Sequence, residues 1–175
     1  MILDFKIKLA LELILIMLIN QSCASFKQLP NNIENSAQII GTYNNDCDST
    51  DHWTDLKLWK LIDSKSSIEE DSFKVRIEIS EKNQLIAYLI SDSTTISEKL
   101  IKGKFKEDNC YYTKRVFYIV PIFPLLWWYV NRQDRIYVIE ETLIYENTHN
   151  TGGVVIFMAG GNYGNYNWMF KKKKY

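Results

Sequence analysis

The chain has 175 residues, with 21 lysines and arginines balanced by 21 aspartates and glutamates, and 14% of it is aromatic. Balanced charge argues against nucleic acid as a partner, since that would favour a strongly basic face. The length suits one domain with a real core once a leader is removed, and the aromatic, Ile, Val and Thr content favours strands.

Lys6 and Lys8 precede an apolar run, Leu9 to Ile19, which ends at Ser22 and Cys23. A basic start, an apolar centre of roughly 7–15 residues and a small residue before the cut make a secretory signal. The run falls short of the about 20 residues a transmembrane helix needs. Glu12 within it would be costly to bury. The stretch LILIMLINQSCAS resembles a bacterial lipoprotein signal at Ser22 and Cys23, and departs from it at Asn20 and Gln21. The resemblance implies cleavage before Cys23, lipidation of Cys23 and attachment to a membrane of the bacterial envelope, expected to be the outer one. The alternative is an ordinary secreted or periplasmic protein. One acyl chain holds a protein only marginally, and lipoproteins of this kind carry several chains on the one cysteine. The expected organisation is a signal over 1–22, a lipidated flexible tether over 23–36 and a single domain over 37–175.

Within that domain QIIGTYN, Gln38 to Asn44, reads as a first strand, with Gly41 marking a bulge or a close packing approach. The apolar pair followed by Gly-Thr-Tyr resembles the opening strand of small lipocalin-like barrels. NDCDSTD is a polar loop. Trp53, Leu56, Trp59 and Ile62 then recur at helical spacing, so a short helix is expected, with Asp51 or Thr54 as its cap. Phe73, Val75, Ile77 and Ile79 alternate with polar residues in the clearest strand. Further strands are expected over 85–90, 99–106 and 110–120, the last interrupted by Pro121 and Pro124. LLWWYVN follows. Residues 135–139 and 143–145 read as a hairpin bent at Glu140 and Glu141. Asn147 to Gly153 reads as a loop, 154–158 as a strand, AGGNYGN as a glycine-rich turn and 166–170 as a closing strand.

About eight to ten short strands with tight turns predict an all-β domain. The sheet should be antiparallel, because the connections are too short for parallel crossovers. An up-and-down barrel of lipocalin type with one short helix is favoured, and a β-sandwich is the alternative.

Chemistry is sparse. The two histidines, His52 and His149, have no nucleophile beside them, and no G-x-S-x-G is present, so no catalytic role is expected. Asp46, Cys47, Asp48, Asp51 and His52 lack zinc-site spacing and read as a solvated loop, so neither a metal nor another cofactor is expected. AGGNYGN precedes a strand and not a helix, which excludes a phosphate loop. An exported protein can keep a disulfide, so Cys47 and Cys110 are either bonded to one another or two thiols. PIFPLLWWYV is an apolar stretch that is either core or an exposed patch, and Trp127, Trp128 and Tyr129 are its candidate binding residues. KKKK at the C-terminal end is either a solvated end or an attraction for anionic headgroups. The expected function is a membrane-anchored envelope protein that binds a small apolar molecule or lipid. The alternative is an accessory subunit of an envelope assembly.

Overall fold

A computed structural model describes residues 26–48, 56–68, 72–123, 126–155 and 158–173, with the side chains of 121–127 and 154–159 left undescribed. The expected signal, Cys23, Asp51 and His52 lie outside these residues. Ten strands are present: β1 (Gly41–Asn44), β2 (Lys74–Ile79), β3 (Leu85–Ser91), β4 (Thr94–Ile101), β5 (Gly103–Phe105), β6 (Tyr111–Thr113), β7 (Val116–Phe123), β8 (Leu126–Ile139), β9 (Thr142–Val155) and β10 (Met158–Lys171). One helix, α1, spans Leu58–Ile62. The domain is all-β and every pairing is antiparallel.

Two sheets form. One has the order β1-β2-β3-β4. The other runs β10-β9-β8-β6-β5, with β7 also paired to β8. Their facing sides share one core: Val75, Ile77, Leu85, Ala87 and Leu89 meet Tyr111, Ile136, Val138, Leu143 and Phe170. The alternation read in β2 produces this arrangement, since period two sends one apolar set inward. The chain passes from the first sheet to the second at Lys102, between β4 and β5. On the other side a lone bridge joins Tyr43 to Lys172. Among the described residues no closed barrel forms, so two sandwich-like sheets fit as well as a barrel. The run 99–106, read as one strand, is divided between the two sheets.

Local contacts explain the corners. Gly41 permits a close approach, because a Cβ there would lie 2.3 Å from Lys172 Cε. The fully buried Tyr43 donates its hydroxyl to the Ile39 carbonyl at 2.9 Å. Asn45 Oδ1 accepts from Trp59 N at 2.9 Å at the start of α1, while the expected caps, Asp51 and Thr54, lie outside the described residues. Tyr111 ties the sheets together by donating to the Ile101 carbonyl and accepting from Leu85 N. The C-terminal lysines are part of the frame. Lys173 N donates to Thr42 O at 2.8 Å and Lys172 N to Glu141 O at 3.1 Å.

The second sheet departs most from expectation. Strands β8, β9 and β10 each run for 14 residues, about 46 Å at 3.3 Å per residue. The expected loop over 147–153 lies inside β9, and the expected glycine-rich turn over 159–165 lies inside β10. The turn falls instead between Val155 and Met158. Conversely, the expected strand 110–120 breaks at Lys114 and Arg115 into β6 and β7. Glu140 and Glu141 do form a bend, both at positive φ (49° and 62°), as a two-residue hairpin requires.

The described part of the expected tether lies against the second sheet. Phe26, Leu29 and Ile33 pack on Cys110, Tyr112, Tyr137 and Ile144, on the face of the second sheet opposite the shared core. Lys27 lies level with Arg135 and Glu146, while Glu34 N donates to Val138 O at 3.0 Å. The segment therefore runs beside β8 in the same direction. Its N-terminal end faces the β7–β8 end of the sheet.

Candidate functional site

The second sheet changes character along its length. At one end it carries core on one face and the N-terminal segment on the other. Beyond Arg132 of β8 no charged residue occurs back to Val116, and none occurs from Asn147 to Phe170. Four strands, β7 to β10, are paired side by side there. Their two connections read FPLL and VIFM, and they lie at the same end because Leu126 pairs with Val155.

Among the described residues, both faces of this end carry exposed apolar side chains. Phe117 is 47% exposed and its neighbour Tyr118 is 49% exposed. Adjacent strand residues point to opposite faces, so both faces are open. Val116, Val120 and Trp128 are also exposed. An apolar patch of this kind marks an interaction surface. β7 alone extends ~27 Å at 3.4 Å per residue, close to the ~30 Å of a bilayer's hydrocarbon core.

Trp127, Trp128 and Tyr129, the candidate binding residues, do belong to this end. Strand alternation puts Trp128 at a position on one face, while Trp127 and Tyr129 take positions on the other. Tyr129 lies across Gly152, where a Cβ would come within 2.6 Å of its ring. Its hydroxyl is 3.4 Å from Asn150 Oδ1. Glycine is thus a packing choice in mid-strand, which its composition alone hides.

A polar girdle separates the open end from the core. Arg115 Nε donates to Asn131 Oδ1 at 2.6 Å. Asp134 accepts from Tyr145 Oη at 2.8 Å and from Asn147 Nδ2. Thr148 Oγ1 donates to the Gln133 carbonyl at 3.0 Å. Behind the girdle lies a buried ion pair, Arg135 and Glu146, which face one another across β8 and β9.

Beside it, at the β5–β6 edge, is a cavity of about 440 Å³ lined by Lys102, Lys104, Lys106, Lys114 and Arg115, with Tyr112 and Gln133. The sequence showed lysines at alternate positions 102, 104 and 106. Their gathering with Lys114 depends on the β5–β6 pairing, which it did not show.

Cys47 and Cys110 are not bonded to one another. Cys47 packs against the shared core and Cys110 belongs to the cluster under the N-terminal segment, so the two lie on different sides of the second sheet. Asp46 pairs with Lys57, and Asp48 Oδ2 accepts from Lys171 N at 2.9 Å. Among the described residues no group of three or more His, Cys, Asp or Glu is placed to hold a metal. His149 stands opposite Arg132 and Gly164 in the ladder.

Burial pushes the Cys110 thiol up to about 12, with Asp108 adding to the shift. It does the same for the Tyr112 and Tyr137 phenols, both to about 12, aided by Asp108 and Glu146 respectively. These groups are neutral when protonated, and folding raises their pKa. As pH rises the unfolded chain therefore releases its protons first, and stability falls. These groups leave the melting temperature unchanged between about pH 7 and 8.5 and lower it progressively between about pH 9 and 12. Melts followed by circular dichroism, with tyrosine ionisation read by absorbance, check this. A flat profile to pH 12 would contradict it.

No protein family, curated protein or solved structure matches the chain. Among the described residues no helix is long and apolar enough to cross a membrane.

Proposed function

We propose that this is a lipid-anchored protein of the bacterial envelope, attached through Cys23, with a binding role and no catalytic one. Its ligand is lipid, met by the uncharged end of the second sheet. The observation that carries this reading is that end itself: four paired strands without formal charge, open on both faces, with both connections apolar. The girdle at Asn131 and Arg132 would lie at the level where acyl chains give way to headgroups.

The anchor agrees with this orientation. Four residues separate Cys23 from Lys27, a reach of at most ~14 Å. Asn131 lies four residues from Arg135 along β8, ~13 Å. Because the N-terminal segment points toward the uncharged end, a lipid on Cys23 can enter the same bilayer. Single attachments are weak and paired ones stable.

The test has two arms. Radiolabelled palmitate should mark the full chain and be lost in Cys23→Ser. The mature chain from residue 23, carrying Cys23→Ser and hence no lipid, should still float with phosphatidylcholine vesicles. An unlabelled wild-type chain sinks the anchor. A mature chain that stays with the soluble fraction sinks the lipid-binding end. Site-specific crosslinking from position 117 that yields one recurring protein, and no lipid, would favour the accessory-subunit reading instead.

A further inference from the structure

The cationic cavity at the β5–β6 edge plays no part in the fold described above. Its lining includes five cationic residues and no carboxylate. Lys114 N donates to Lys102 O at 2.8 Å, which holds two like charges side by side. Like charges directly opposite one another across a ladder are destabilising. Among the described residues no ion pair involves Lys102, Lys104, Lys106 or Lys114. Asp108, which neighbours the lining residue Tyr112, is committed: it accepts from Tyr112 Oη at 2.6 Å and from Cys110 N at 3.1 Å. The cavity therefore concentrates positive charge without an internal counterion.

Its position supplies the second argument. Tyr112, which lines the cavity, meets Phe26 edge to face at 5.4 Å. Phe26 is three residues from Cys23, at most ~11 Å of chain. Lys114 and Arg115 also immediately precede Val116, where the uncharged strands begin. The cavity thus lies within chain reach of Cys23 and beside the base of the uncharged strands. Cationic side chains at such a level attract anionic leaflets.

We propose that the cavity lined by Lys102, Lys104, Lys106, Lys114 and Arg115 binds the phosphate headgroup of an anionic phospholipid in the bilayer that receives the sheet end. The inference rests on the lipid-binding reading above. Lysines supply point charges to the phosphate oxygens, and Arg115, already oriented by Asn131, presents its remaining donors. A headgroup there relieves the repulsion between Lys102 and Lys114.

The experiment uses the mature chain with Cys23→Ser, and vesicles of phosphatidylcholine with and without phosphatidylglycerol. Phosphatidylglycerol should strengthen binding of the parent. Lys102→Gln with Lys114→Gln should lose about 25-fold in affinity for the anionic vesicles, near fivefold for each lysine, and keep its affinity for pure phosphatidylcholine. A matched control, Lys65→Gln with Lys173→Gln, should bind as the parent does. Circular dichroism melts confirm that both variants fold. Equal losses in the two variants would mean diffuse attraction and overturn the site. Inorganic phosphate bound as tightly as the anionic surface would overturn the lipid as its source. A parent that binds both vesicle types equally defeats the headgroup inference alone, and one that binds neither defeats the lipid-binding reading beneath it.

Discussion

Glu146→Ala is expected to destabilise the domain by about 3–5 kcal/mol, the usual result of removing one partner from a buried ion pair. The reason is the setting of Arg135. The two side chains are 4% and 1% exposed. Arg135 Nε donates to Glu146 Oε2 at 2.8 Å, and Nη2 donates to the same oxygen. Nη2 also donates to the Lys27 carbonyl at 3.0 Å, and the guanidinium stacks on Phe26 at 4.6 Å. Without Glu146 the guanidinium keeps its charge and its burial but loses its anion. For a domain of this size the loss corresponds to a fall in melting temperature of about 6–20 °C. Replacing both residues together, Arg135→Met with Glu146→Leu, should restore most of it, because the cost lies in the unpaired charge. Hydrogen exchange should show a second effect. The amides of Lys27 and Glu34 should lose protection in Glu146→Ala, since Lys27 N donates to Glu146 Oε1 at 3.4 Å. A loss below about 1 kcal/mol would mean that the pair is hydrated and not buried.

The second large effect concerns vesicle binding. Phe117→Asp and Trp128→Asp should each weaken binding of the mature chain by about 10- to 100-fold. Withdrawing one large apolar side chain forfeits about 1.5–3 kcal/mol, and the new carboxylate adds a cost within the hydrocarbon. The two residues occupy opposite faces of the sheet, so equal sensitivity would mean that both faces meet lipid. Stability should change little, because both are already about half exposed, at 47% and 46%. Ile96→Asp and Leu100→Asp on β4 form the control. They are comparably exposed, at 46% and 43%, but belong to the other sheet. If they weaken binding as much, the uncharged end is not the contact surface.

Some of this was legible in the sequence. Strand β2 announced itself by alternation and β3 by its apolar run, and Gly41 marked a close approach that Lys172 turns out to make. The two-residue bend at Glu140 and Glu141 was readable from its flanks. The long strands were not. Asn147 to Gly153 and Ala159 to Asn165 have the composition of turns, but the first lies between two strands, the second pairs with β9 along its length, and Tyr129 fills the space over Gly152. The absence of any charged residue from 147 to 170 was the available signal. The break at Lys102 left no trace, because alternation continues through it, whereas the three successive polar residues Thr113 to Arg115 were the signal for the second break. For the site, the sequence singled out Trp127 to Tyr129, which lie on β8. It did not show that alternation would divide those residues between two faces, nor that Lys102 and Lys114 would become neighbours.

The bridge between Tyr43 and Lys172 also bears on how the chain reaches its folded state. Lys171 N meets Asp48 across 123 positions, and Lys172 Nζ meets Gln38 O across 134. Lys27 meets Arg135 and Glu146 across 108 and 119 positions. These contacts join segments more than 100 positions apart. Closing such long loops precedes the reward of the contacts, and topologies of this kind fold slowly. The corner at Tyr43 and Lys172 is therefore expected to be among the last parts of the domain to form on refolding.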